Sequence, residues 1–121
     1  MSGAERRRHQ RVAVDVPATL RAGGGDHSAR IRDICRDAVL VEADEEWPLE
    51  TEVSLRTDLP GVSDPIDVRG RVIRLAPGED GGHGMAILFS DMSPVVAMRI
   101  DFFVALQADL GHAGAARPDP K

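Results

Sequence analysis

The sequence predicts a mainly β fold, a small six-stranded antiparallel β-barrel with one C-terminal α-helix. Three observations lead there. Apolar and polar residues alternate with period two in short segments between Val12 and Phe89. Turn-forming glycines, prolines and acids separate those segments. After Ser93-Pro94 the apolar spacing becomes helical. Six short strands followed by one amphipathic helix suggest a small antiparallel barrel or sandwich, with the helix over one opening.

The first strand spans Val12 to Leu20, with Val12, Val14, Val16, Ala18 and Leu20 on its apolar face. Pro17 inside it calls for an edge position or a bulge, because proline has no amide to donate to a ladder. Gly23 to Asp26 is a turn, and Ser28 to Ile34 is the second strand. Asp33 to Asp37 is a polar break, followed by a third strand, Ala38 to Ala43. The acidic segment 44–50, which holds Trp47-Pro48, reads as a loop. Val53, Leu55 and Thr57 mark the fourth strand, and 59–65 is a loop with two prolines and a glycine. The fifth strand starts at Ile66, and its apolar phase shifts near Gly70 to Val72, as at a bulge or barrel corner. A turn over 76–82 precedes the sixth strand, Gly84 to Phe89.

The helix starts with Ser93 as its cap and Pro94 at its first position. Val96, Ile100, Phe103, Leu106 and Leu110 form its core stripe, and Gly111 is read as its end. Phe102 and Val104 lie off that stripe and suggest a second apolar face. Domain organisation follows: a disordered N-terminus over 1–5, one barrel domain over 6–111, and a flexible tail over 112–121.

Composition narrows the function. Acids outnumber bases 20 to 15, for a formal net charge of −5, which argues against a general nucleic-acid binder. A single cysteine, Cys35, forms no internal disulfide. No apolar run is long enough to span a membrane, and the N-terminus has no apolar signal core. A cytoplasmic protein is the expectation. Against the acidic background stands Arg6-Arg7-Arg8-His9-Gln10-Arg11. Four guanidiniums in six residues repel one another and gain from a polyanion. Guanidinium also forks onto phosphate oxygens and onto the N7/O6 edge of guanine.

The chain resembles the PilZ domain family of bacterial cyclic di-GMP receptors. The residues that carry the resemblance span about 5 to 110. Arg7 and Arg11 stand in the R-x-x-x-R spacing before the first strand, with Arg6 preceding them. Asp33-Ile34-Cys35-Arg36-Asp37-Ala38 occupies the place of the family's D/N-x-S-x-x-G turn. Its aspartate matches, while Cys35 stands for the serine and Ala38 for the glycine, so the second motif is degenerate. Pro65 to Leu75 looks like the family's fifth strand. Gly84 to Phe89, followed by Asp91-Met92-Ser93-Pro94, looks like its last strand and helix entry, with Ala86 where a second glycine is frequent.

The resemblance implies a cyclic di-GMP site made of Arg6, Arg7, Arg11, Asp33, Cys35 and Ala38. No metal and no other cofactor is expected. An arginine before R-x-x-x-R accompanies two stacked ligand molecules in the family, a role Arg6 fits. A thiol in place of the hydroxyl loses a good hydrogen bond, about 0.5–1.5 kcal/mol, or about 2–13-fold in affinity. Alanine for glycine matters if the turn needs a positive φ there.

The plainer readings remain beside these. The arginine run can be a solvated tail, and Asp33 can simply cap a turn. Cys35 reads as a half-buried small residue, and the scattered histidines lack metal-ligand spacing. Trp47 either packs on the barrel or anchors a partner. No nucleophile–base–orienter set is visible, so no enzyme is expected. Two functions follow: a cyclic di-GMP receptor and adaptor that signals by protein contact, or a degenerate adaptor that has lost the ligand. Motility or exopolysaccharide regulation is the process implied. The partners expected are cyclic di-GMP and an unidentified protein, with the chain a monomer or weak dimer.

Overall fold

The computed structural model describes residues 11–78 and 82–115, with side chains up to residue 109. Six strands run in chain order: β1 Val12–Ala22, β2 Gly25–Ile34, β3 Ala38–Ala43, β4 Glu52–Thr57, β5 Ile66–Pro77 and β6 His83–Asp91. They close as an antiparallel barrel in the order β1-β2-β3-β6-β5-β4. The mainly β barrel expected from the sequence is the fold observed. Helix α1, Pro94–Ala115, follows.

β1 and β2 meet at Ala22 and Gly25, leaving Gly23-Gly24 as a two-residue turn. Both glycines have positive φ, 63° and 83°, the geometry that matches the twist of a tight hairpin. The barrel seam is short. β1 pairs with β4 only from Thr19–Arg56 to Arg21–Ser54. Pro17 lies beyond that seam, so its missing amide costs β4 no ladder bond. Its carbonyl accepts the Thr57 hydroxyl at 2.8 Å, which satisfies the buried polar Thr57.

The alternation predicted for β1 and β4 is the burial observed, and β3 alternates as well. Leu20, Ile31, Val41, Leu55, Ile66, Val72, Met85 and Ile87 form the barrel core. In β5 the inward phase of Ile66, Val68, Gly70 and Val72 is unbroken. Register shifts against β6 fall between Arg69 and Gly70 and between Val72 and Arg74, and beyond Val72 Ile73 and Leu75 are exposed. The irregularity expected near Gly70 is therefore present, but it ends the core face and does not exchange it for the other.

Helix α1 packs on β1 and β5 and sends Ile100, Phe103 and Val104 into the core. The Ser93 hydroxyl accepts the Val96 amide at 3.2 Å, the predicted cap. Two details of the sequence reading change. The helix does not stop at Gly111 but continues to Ala115. An interior glycine costs a helix only about 1 kcal/mol, and alanines follow it. Val104 belongs to the core, while Phe102 alone of the two off-stripe residues faces out. At the other region of the barrel, the 44–51 loop folds back so that Trp47 packs on the core and meets His27 edge-on, ring centres 5.0 Å apart. Trp47 is thus a packing residue.

Candidate functional site

Arg11 leads directly into β1, and Asp33 lies near the end of β2, where Ala13 pairs with Asp33 and Val12 with Ile34. Simple alternation from Ala29 and Ile31 would turn Asp33 into the core. A bulge prevents that. Arg32 is the extra residue against β3, between the pairs Ile31–Val41 and Asp33–Leu40. One step of inserted chain flips the phase, so Ile31 and Ile34 are both fully buried and Asp33 turns outward. β1 has a matching irregularity between Ala13 and Val16. The two bulges place Asp33 beside the entry of the arginine arm.

There the Arg11 Nη2 donates to Asp33 Oδ1 at 2.9 Å. The Arg11 side chain is 57% exposed and that of Asp33 24%. The hydrogen bond it donates to Asp33, reinforced by that carboxylate's charge, holds the Arg11 guanidinium above its ordinary pKa, with partial burial opposing. Arg11 is therefore a fixed cation. A guanidinium has five N–H donors in a rigid plane, so a single bond to Asp33 orients the group and leaves donors for an anion or a guanine edge.

The turn after Asp33 is tied down on three sides. The Cys35 amide donates to the Ala38 carbonyl at 2.9 Å, closing the turn. The Phe89 amide donates to the Asp37 carbonyl at 2.8 Å, fastening it to β6. Arg36 Nε lies 3.5 Å from Asp101 Oδ2, linking it to α1. Cys35 is buried, at 8% exposure, where the sequence suggested half-burial. Among the described residues outside glycine only Glu50 has positive φ, so Ala38 stands in ordinary backbone geometry. Alanine carries no backbone strain at that position. Ala86 is buried in β6, paired with Leu40 and Arg74.

Arg11, Asp33, Cys35 and Ala38 are thus brought to one end of the β1–β2–β3 face. Arg6 and Arg7 lie outside the described residues. Sequence reading passed over Arg30, Arg32 and Arg36. Asp15 bonds Arg30 and lies 3.6 Å from Arg32, and Arg32 also approaches Glu42. The signal for Arg30 and Arg32 was their period-two spacing on the outward face of β2. Arg36 had no such signal, because its partner is on a helix remote in sequence.

A groove of about 760 Å³ does not coincide with this cluster. It is lined from β1, β2, β3 and the end of β4, among others by Thr19, Ser28, Arg30, Glu42, Arg56 and Asp58. From Ala13 to Pro17 is four residues along β1, about 13 Å. The cluster is the better candidate because Arg11, at the root of the arginine run, belongs to it, whereas the groove's Arg30, equally held by one bond to an aspartate, lies away from that run. Among the described residues no group of His, Cys, Asp or Glu is arranged to hold a metal. No helix among them is long and apolar enough to cross a membrane.

Comparison with known proteins agrees with this fold. Residues 5–106 match the PilZ domain family. No curated protein sequence matches the chain. Among solved structures, the fold is similar to the Bacillus subtilis inhibitor of motility MotI/DgrA, with a TM-score of 0.75 at 12% identity. That match covers 87% of this chain and 52% of MotI, so the chain spans about half of that protein. The PilZ domain of YcgR from Escherichia coli, solved with c-di-GMP, has a TM-score of 0.71 at 11% identity, covering 93% of this chain and 99% of that domain. PlzA of Borreliella burgdorferi, in complex with c-di-GMP, has a TM-score of 0.63 at 18% identity, over 84% of this chain and 42% of PlzA. At these identities the likeness is one of fold.

Proposed function

This chain belongs to the PilZ domain family, and on that premise we propose that it is a cyclic di-GMP receptor that takes its ligand between the Arg6–Arg11 arm and the Asp33–Ala38 turn and passes the signal on by protein contact. The observation that carries the reading is the Arg11–Asp33 bond, which pins the root of the arm beside the turn. Arg11 supplies a forked donor for a phosphate or a guanine N7/O6 edge, and Asp33 keeps it aimed. Arg7 is the second forked donor in this reading, and Arg6 an auxiliary cation for a second, stacked ligand. Asp33 retains lone pairs for guanine N–H groups. Cys35 and Ala38 contribute a closed turn with unstrained backbone, and the role is binding without catalysis.

A second reading is favoured by one observation, the burial of Cys35. A thiol so enclosed offers the ligand little, which suits an adaptor that keeps the fold and partner contacts but has lost the nucleotide.

Isothermal titration with cyclic di-GMP separates the two. The receptor reading expects saturable heat that is abolished in Arg7→Ala and Arg11→Ala. Absence of heat at about 100 μM ligand, a concentration that would half-fill a site of about −5.5 kcal/mol, overturns it and leaves the adaptor.

A further inference from the structure

The turn between β2 and β3 carries one more guanidinium, that of Arg36. Val12 pairs with Ile34. Arg11 precedes Val12 and Cys35 follows Ile34, so the antiparallel register sets Arg11 opposite Cys35, the neighbour of Arg36. Paired Cα atoms are about 5 Å apart and consecutive ones about 3.8 Å, which puts the Arg11 and Arg36 backbones at most about 9 Å apart. Two arginine side chains rooted that close can converge on one ligand.

The two guanidiniums are held differently. Arg11 donates a hydrogen bond to Asp33 at 2.9 Å. Arg36 Nε stays 3.5 Å from Asp101 Oδ2, beyond the about 2.7–3.2 Å of an N–H···O bond. Asp101 is the one partner of Arg36 among the described residues. Their side chains are 47% and 48% exposed, and an ion pair so open to water is weak. Arg36 is thus a cation in the turn with its donors uncommitted.

The backbone beneath it is fixed. The Cys35 amide bonds the Ala38 carbonyl, and the Phe89 amide bonds the Asp37 carbonyl. Arg36 can therefore change partner by rotation of its side chain alone. Charge supplies the drive. Arg11 with Asp33 and Arg36 with Asp101 sum to zero, whereas cyclic di-GMP brings two phosphates. A phosphate takes two parallel, charge-assisted hydrogen bonds from a guanidinium, and Asp101 takes none.

We propose that Arg36 is a further ligand-binding residue, held in reserve by Asp101, and that it exchanges that carboxylate for a ligand phosphate when cyclic di-GMP binds. The inference rests on the receptor reading above and names a residue that reading leaves out. The exchange also undoes one of the ties between the turn and α1.

Titration calorimetry with cyclic di-GMP on the wild type, Arg36→Ala, Asp101→Asn and the double variant tests it. Arg36→Ala weakens binding about tenfold, through loss of a charge-assisted fork. Asp101→Asn keeps the shape but removes the competing charge, and tightens binding about two- to fivefold, the range of an exposed ion pair. In the Arg36→Ala background Asp101→Asn has no effect, because nothing is left to compete for. A purely structural Asp101 would act in both backgrounds. Both side chains are half exposed, so circular dichroism and melting temperature stay near those of the wild type. Wild-type binding that Arg36→Ala leaves unchanged overturns the proposal while the receptor reading stands. So does an Asp101→Asn effect that persists without Arg36, or an Asp101→Asn variant that binds no tighter. Absence of heat from the wild type overturns the receptor reading itself, and this proposal with it.

Discussion

Asp33 reaches Arg11 across the first two strands, at 2.9 Å, only because Arg32 is an extra residue in β2. Without that bulge the carboxylate would point into the barrel beside Ile31 and Val41, Ile34 would turn outward, and Arg11 would lose this anchor.

The pair orients more than it stabilises. An exposed ion pair contributes about 0–1 kcal/mol to folding. Arg11→Ala and Asp33→Ala should each move the melting temperature by only a few degrees. In the receptor reading both should weaken cyclic di-GMP at least tenfold by titration calorimetry. A large loss of stability with unchanged affinity would make the pair structural.

The degenerate turn can be tested one residue at a time. Cys35→Ser restores a hydroxyl and should tighten cyclic di-GMP by about 2–13-fold, at a modest cost in stability from burying a polar group. Ala38→Gly relieves no backbone strain, since Ala38 lies outside the positive-φ region, and should change affinity less than Cys35→Ser. Titrations of the two single variants check the order; a larger gain from Ala38→Gly would mean that the ligand needs closer backbone approach at that residue.

Gly70 is required by contact. A methyl group added there would stand 2.5 Å from the Leu88 carbonyl oxygen and 2.8 Å from Ile87 Cγ2. Neither the backbone oxygen nor the buried Ile87 can move cheaply, so Gly70→Ala should cost about 2 kcal/mol. Urea denaturation, with a lower midpoint at unchanged slope, is the measurement.

Glu50 is the reverse case. Its φ of 74° lies in the left-handed region, in the turn closed by the Thr51 amide on the Pro48 carbonyl. Glu50→Gly should stabilise the fold by up to about 1 kcal/mol, since glycine adopts that conformation freely. The exposed Arg71–Glu50 pair that it deletes is worth less than that. Thermal melting of the variant should show a rise of a few degrees.

Acid should loosen the surface ladder. The hydrogen bond from Arg30 lowers the pKa of Asp15, and that from Arg21 lowers the pKa of Asp26. A carboxylate whose pKa is depressed by folding contributes stability above its unfolded value, near pH 4, and loses it as pH falls through its lower folded value. Stability should thus decline below about pH 4. Asp15→Asn with Asp26→Asn should flatten the decline, as read from melting temperatures between pH 7 and pH 3.

Much of this was legible from local pattern. Period-two alternation placed the strands, and Ser93-Pro94 marked the helix start, because strand faces and caps depend on residues near in sequence. The Arg7–Arg11 spacing and Asp33 pointed to the family for the same reason. Helix length was read less well, since Gly111 weakens a helix without ending one. The roles of Phe102 and Val104 could not be divided by spacing alone, because adjacent helix faces compete for a core that other strands define.

By itself, then, the sequence determined a six-stranded antiparallel barrel with a capped helix, and an arginine run just before its first strand. Only the tertiary structure decided that Asp33 turns outward to hold Arg11, that Cys35 is enclosed, that Ala38 is unstrained, and that one face of α1 is left bare. The reason is physical. Alternation and capping are set by each segment's own residues, whereas a bulge, a turn's fastening and a helix's buried side are fixed by partners distant along the chain, such as Val41, Phe89 and Asp101.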